Sequence, residues 1–164
     1  MKLHFLLVTA GLVCGSAASA QSPTTAATTK SAFPAPVAQS PIPAADAQLI
    51  MIRSTLLALS HANLTNNYSV LAGLGSPNFQ AANPPTKLAQ NFEQFRSNRI
   101  DLAPLGLVQP RETLSPRVEG GRLRLVGLFP TQPMQVYYDL TFEPVVGQWK
   151  LYGLAVNLKK EESR

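Results

Sequence analysis

Apolar and polar residues alternate along the last third of the chain. Three stretches, Arg122–Phe129, Met134–Glu143 and Gln148–Leu158, have the two-residue period that is typical of β-strands. They are separated by Pro130–Pro133 and Pro144–Gly147, which have the composition of β-turns. The pattern predicts a three-stranded antiparallel meander.

The turns also suggest which strand residues face each other. Pairing Phe129 with Met134 places Arg124 opposite Asp139, and pairing Glu143 with Gln148 gives apolar pairs across the second hairpin. A shift by one residue would move every side chain to the other face. The face that we expect to pack against helices contains Leu123, Leu125, Val136, Tyr138, Leu140, Phe142, Trp149, Leu151 and Ala155.

The opposite face of the predicted meander is charged at one end and apolar at the other. The apolar end holds Val126, Leu128, Tyr137, Tyr152, Leu154 and Val156. A contiguous apolar patch on a protein surface usually marks a partner or ligand surface. We therefore expect a homodimer through the outer sheet face, with Val126, Tyr137, Tyr152 and Leu154 at the interface. The alternative is that the irregular segment 101–118 folds over this half.

Helical patterns precede the strands. A first helix is predicted at Asp46–Leu64, a short one at Asn67–Leu74, a turn capped by Ser76, and a last helix from Pro85 or Thr86 to near Arg99. The first helix has one apolar stripe of Leu49, Ile52, Leu56 and Leu59 and a second of Ile50, Leu57 and Leu64. An edge strand is expected within 101–118. Together these elements predict an α+β fold, in which N-terminal helices pack on a curved antiparallel sheet.

The chain begins with a pattern that predicts export. Residues 1–20 combine a basic start, a short apolar run and a small-residue end, which is typical of a secretory signal peptide cleaved before Gln21. We expect a periplasmic or extracellular protein. A lipid anchor on Cys14 is disfavoured because Val13, and not a small residue, precedes it. No segment approaches the length of a transmembrane helix.

Four regions follow from composition. After the signal peptide, residues 21–45 are rich in Ala, Pro, Ser and Thr and predict a disordered tether. Residues 46–158 form the predicted α+β domain, and residues 159–164 are a charged tail. The whole chain has a net charge of +5. Because its charges are scattered, no nucleic-acid partner is expected.

The order of elements resembles that of the nuclear transport factor two-like superfamily, whose members fold as an α+β cone. The closing stretch Gly147–Val156 is similar to the terminal strand of many such domains. The resemblance implies the fold of about Asp46–Leu158. The same fold serves enzymes, adaptors and binding proteins, so it does not by itself fix an activity.

Candidate chemistry is sparse. Cleavage would remove the one cysteine, and with two histidines in the chain we expect neither a metal site nor a cofactor. The sequence favours a non-enzymatic domain that binds a small apolar ligand inside the cone or forms the sheet-mediated dimer. Expected ligand contacts are Arg53, Phe92, Tyr138 and Trp149. The alternative is an isomerase or dehydratase-like enzyme with acid and base groups in the cone.

Overall fold

The computed structural model of the protein describes residues 41–160. The predicted signal peptide, Cys14, most of the predicted tether and residues 161–164 lie outside that range. Within it, the chain folds as predicted into an α+β domain, with helices followed by a curved, open antiparallel sheet. In this part of the chain no helix is both long enough and apolar enough to span a membrane.

Within residues 41–160, five helices and a 3-10 turn precede the sheet. The helices are α1 (Ala45–Thr65), α2 (Ser69–Gly73), α3 (Pro77–Ala82), α4 (Pro85–Asn91) and α5 (Glu93–Ser97), and the 3-10 turn is Ala103–Gly106. The strands are β1 (Arg111–Glu119), β2 (Arg122–Phe129), β3 (Met134–Val145) and β4 (Gln148–Lys160), paired in the order β1-β2-β3-β4. The expected edge strand is therefore β1.

Helix α1 buries one of its two predicted stripes. Asp46 lies in its first turn, where a negative charge stabilises a helix, and Asn66 ends it in a left-handed conformation. Ile52, Leu56 and Leu59 are buried in the core. The second stripe is not covered as expected, because Ile50 and Leu64 are 65% and 70% exposed.

The short helices follow their capping signals. The Ser76 side chain accepts a hydrogen bond from the Phe79 backbone N–H at 3.1 Å, with Pro77 as the first helical residue. The Ser76 N–H also donates to the carbonyl oxygen of Leu151 at 2.8 Å, which joins this turn to β4. The predicted helix after Pro85 is divided in two at Phe92, which has non-helical backbone angles.

The β2–β3 register differs from the predicted one by two residues. Phe129 pairs with Val136 and Leu125 with Leu140, so the hairpin loop is longer than the sequence suggested. Because side chains alternate with a period of two, a shift of two residues leaves every side chain on its predicted face. The ion pair between Arg124 and Asp139 also forms, although these residues now lie diagonally across the strands.

The β3–β4 register differs from the predicted one in two ways. Gln148 pairs with Val145 and not with Glu143, so the turn is tighter than predicted and the pairing is shifted by two residues, which leaves the faces unchanged. A β-bulge lies between the pairs Phe142–Leu151 and Thr141–Gly153, which leaves Tyr152 as the extra residue. One inserted residue reverses the faces of the strand that follows it. Leu154, Val156 and Leu158 consequently share the inner face, while Ala155 faces outward. Tyr138 pairs with Val156, whereas the predicted register paired it with Gly153.

The core lies between the helices and the inner face of the sheet. Its members from the sheet are led by Leu123, Leu125, Phe129, Leu140 and Leu151, which are almost completely buried. The segment 101–110 packs beside α1, while Arg111–Glu119 extends the sheet next to β2. The alternative that this stretch covers the outer sheet face is therefore wrong.

Candidate functional site

A cavity of about 460 Å³ opens at the end of the sheet where β2 turns into β3. One wall comes from the segment 99–108 and the other from the β2–β3 hairpin. Most of its lining is apolar: Ile100, Pro104, Leu105, Val108, Pro130, Pro133, Met134, Val136 and Leu158, with Arg99, Asp101, Thr131 and Gln132 as the polar members. We call this space the hairpin cavity.

The segment 99–108 is held in place by buried leucines and by two hydrogen bonds that involve side chains. Leu102 and Leu105 are 0% and 1% exposed, which fixes the 3-10 turn against the core. The Asp101 carboxylate accepts a hydrogen bond from the Ala103 N–H at 2.8 Å. At the far end, Arg53 Nη2 donates to the carbonyl oxygen of Val108 at 3.0 Å. The wall is thus tied to α1.

The opposite wall is fixed by the hairpin itself. Thr131 Oγ1 donates to the carbonyl oxygen of Met134 at 2.6 Å, and the Thr131 N–H donates to that of Phe129 at 2.8 Å. Val136 pairs with Leu158 across β3 and β4, and both side chains line the cavity. Leu158 reaches it only because the bulge at Tyr152 turns the end of β4 inward.

Arg99 lies at the rim of the cavity in an unusual backbone conformation. Its φ is 53°, in the left-handed region that normally favours glycine. The residue follows α5, and the Ile100 N–H donates back to the Phe95 carbonyl oxygen at 2.8 Å. Among residues 41–160, no ion pair or side-chain hydrogen bond involves the Arg99 guanidinium.

A second cleft, of about 310 Å³, shares Arg99, Ile100 and Asp101 with the hairpin cavity. Its other lining residues are Asn63, Leu64, Phe95 and Arg96. We call it the arginine cleft. The two spaces therefore meet at the residues that follow α5.

Sequence reasoning missed the hydrogen-bond network beside the arginine cleft. Arg96 Nη1 donates to the Tyr68 hydroxyl at 2.5 Å and to the Ala89 carbonyl oxygen at 2.7 Å. The Tyr68 hydroxyl donates to Asn63 Oδ1 at 2.5 Å, and its ring stacks on Phe92 with centroids 6.5 Å apart. The network joins α1 to the helices after it. No sequence motif indicates it, because its central contact joins Tyr68 to Arg96, 28 residues away in the chain.

The four predicted ligand contacts do not meet in one cavity. Arg53 supports the wall through Val108 but does not line the hairpin cavity, and neither do Phe92, Tyr138 or Trp149. Phe92 is buried against Tyr68, while Trp149 pairs with Pro144 at the opposite end of the sheet.

Tyr138 is a packing residue with a perturbed titration. It is 2% exposed, and its ring lies 5.7 Å from that of Phe129. Burial, with a smaller effect of the Glu112 charge, raises the pKa of Tyr138 to about 12. A phenol that remains protonated at neutral pH and lies outside the cavity is not placed for proton transfer to a ligand there.

The four predicted interface residues are divided by the bulge. Val126 and Tyr137 lie on the outer face, whereas Leu154 pairs with the inward-facing Leu140. Tyr152 is covered by the Arg122 guanidinium, 3.8 Å from the ring centre. The outer face at this point is a groove of about 420 Å³ with charged walls, and not a continuous apolar patch.

Acid–base and metal chemistry have few groups to use here. Among residues 41–160, Asp101 is the one carboxyl group that lines the hairpin cavity. Within residues 41–160, no group of three or more His, Cys, Asp or Glu side chains is arranged to hold a metal ion.

Comparison with known proteins adds no relative to this picture. No family model matches the chain, and neither a curated protein nor a solved structure is significantly similar to it.

Proposed function

We propose that the protein is an exported binding domain of the α+β cone type that holds a small, largely apolar ligand in the hairpin cavity. The observation that carries this proposal is the cavity itself. Its volume of about 460 Å³ lies within the roughly 300–1,000 Å³ that is usual for small-molecule sites. Apolar walls with a few polar groups at the rim are also usual for such sites. Export is supported by the pattern of residues 1–20.

The walls are suited to hold a ligand without large rearrangement. Leu105 and Val136 are buried by the core behind them, and Arg53 holds Val108 from the side of α1. Side chains that are already fixed lose little conformational entropy when a ligand binds. A homodimer through the outer face has weaker support, because Leu154 is turned away from that face and Tyr152 is covered by Arg122.

Binding can be tested with a neutral fluorescent probe, N-phenylnaphthylamine, and its displacement by octanol. We expect saturable fluorescence with the native protein. The variant Leu158→Trp places a larger side chain in the cavity and should weaken binding by about tenfold or more, a change that needs only ~1.4 kcal/mol. Leu107→Trp is the matched control, because Leu107 is 92% exposed and does not line the cavity.

Two results would contradict the proposal. One is the absence of saturable probe binding to the folded native protein. The other is equal affinity of Leu158→Trp and the native protein, provided that circular dichroism shows both to be folded.

A further inference from the structure

We infer that the ligand of the hairpin cavity is an amphiphilic carboxylate, whose apolar part lies in the cavity and whose carboxylate is bound by Arg99 where the cavity meets the arginine cleft. This inference rests on the proposed function and adds the chemical class of the ligand. Arg99 lines both the hairpin cavity and the arginine cleft.

The Arg99 guanidinium is available to a ligand. It is exposed, and within residues 41–160 neither an ion pair nor a side-chain hydrogen bond engages it. The nearest acidic residue in the chain, Asp101, uses Oδ1 to accept the Ala103 N–H. A planar guanidinium with several N–H donors can bind a carboxylate through two parallel hydrogen bonds. An unpaired arginine at the rim of an apolar cavity therefore favours a ligand with an anionic head and an apolar body.

The arginine cleft offers mostly hydrogen-bond donors. An arginine has no acceptor, so in the contact between Arg96 and Tyr68 the tyrosine oxygen accepts. The Tyr68 proton then points to Asn63, which fixes Oδ1 of that amide as the acceptor. Its Nδ2 is consequently a donor, and it is buried without a hydrogen-bond partner among residues 41–160.

Charge leads to the same class of ligand. Arg96 and Arg99 each contribute a positive charge to the arginine cleft, and Asp101 contributes one negative charge. The excess of positive charge and of donors suits an anion better than a cation or a neutral acceptor.

The backbone of Arg99 gives an independent reason to look for a function at this residue. Glycine is the residue that best fits the position after a helix in which φ is positive. A longer side chain there is disfavoured, and such conformations are concentrated at functional sites. The free guanidinium supplies what a glycine at this position would lack.

The test compares octanoate with octanol, which have the same alkyl chain but differ in the charge of the head group. Displacement of N-phenylnaphthylamine gives both affinities for the native protein, Arg99→Gln and Lys150→Gln. The last variant is the control, because it removes an equal charge at the opposite end of the sheet, beside Glu143. We expect Arg99→Gln to weaken octanoate binding by about tenfold, the effect of losing hydrogen bonds to a charged group, and to change octanol binding by less than about twofold.

The outcomes separate the two proposals. If octanol binds to the cavity but octanoate binds no more tightly and is insensitive to Arg99→Gln, the carboxylate inference is wrong and the proposed function stands. If octanoate weakens equally with Lys150→Gln, the effect is general electrostatics and the inference is again wrong. If neither compound displaces the probe from the native protein, the proposed function itself fails. Loss of octanoate affinity at high salt, with octanol unaffected, would support the ion pair.

Discussion

Replacing Gly127 by alanine should destabilise the protein, because the ring of Tyr138 occupies the space that a side chain would need. Gly127 pairs with Tyr138 across β2 and β3. A Cβ atom at this position would lie 2.7 Å from Cζ of Tyr138 and 2.5 Å from the Arg111 carbonyl oxygen, with the phenolic oxygen also in contact. Tyr138 is buried against Phe129, so its ring has little room to move.

The magnitude follows from two opposing effects. Forcing an extra carbon into a well-packed core costs roughly 1–3 kcal/mol, and the upper part of that range applies here because one obstacle is backbone. Alanine also reduces the entropy of the unfolded chain relative to glycine, which stabilises by about 0.4–1 kcal/mol. The net loss for Gly127→Ala should therefore be about 2 kcal/mol.

Gly153 provides a matched control in the same sheet. A Cβ atom there would be 3.5 Å from Cβ of Thr141, an ordinary van der Waals contact. Gly153→Ala should consequently be neutral or stabilising by up to about 1 kcal/mol. Urea unfolding, monitored by circular dichroism and by the fluorescence of Trp149, would measure both. Equal stability of the two variants would refute this explanation. The Tyr138→Leu substitution removes the obstructing ring, so a loss of stability from Gly127→Ala that is equally large in the Tyr138→Leu background would also refute it.

Three further changes have defined outcomes. Val146→Asn should raise the free energy of unfolding by about 0.5–1 kcal/mol in thermal melts, because Val146 is 98% exposed with a φ of 48° in a turn that favours asparagine. The raised pKa of Tyr138 favours the protonated phenol in the folded state, so its contribution to stability is present below pH 10.0 and is lost as the pH rises through about 12, by roughly 3 kcal/mol at most. Tyr138→Phe should lack this loss, and an equal alkaline loss of stability in that variant would contradict the assignment. Tyr68→Phe should lower the free energy of unfolding in urea by about 1–3 kcal/mol, because it removes the buried hydroxyl that accepts a hydrogen bond from Arg96. The control Tyr152→Phe should change that free energy by less than about 0.5 kcal/mol. Similar effects of the two substitutions would show that the network is not stabilising.

The pattern of the sequence predicts most of the fold because its strands and helix ends carry strong local signals. The bounds of Arg122–Phe129 match β2, and Ser76 caps α3 as its chemistry indicates. The β2–β3 register was missed by two residues, since a proline-containing loop does not determine how many residues beyond it remain unpaired. The side chains of β2 and β3 were still assigned to the correct faces, because the shift is an even number of residues.

The bulge at Tyr152 shows where alternation read from one end of a strand becomes misleading. Continued without a bulge, the inner face that begins at Leu151 would place Asn157 and Lys159 inward. With one extra residue, Leu154, Val156 and Leu158 turn inward instead, while Ala155, Asn157 and Lys159 face outward. The change of phase in this pattern, next to a glycine, was the available signal for a bulge. The bulge also bears on the proposed function, because it brings Leu158 to the hairpin cavity and turns Leu154 away from the outer sheet face.

The hairpin cavity could not be predicted in the same way, because both of its walls are irregular. The segment 99–108 has no helical or strand period, and its place is set by burial of Leu102 and Leu105 and by a hydrogen bond from Arg53, 55 residues away in the chain. The sequence placed Arg53 among the expected ligand contacts, but it could not distinguish a contact to a ligand from the observed contact to a backbone carbonyl. Arg53 already donates a hydrogen bond to Val108, so the proposed ionic contact to a ligand is assigned to Arg99. The Arg99 guanidinium is exposed, and its backbone has the positive φ that usually favours glycine.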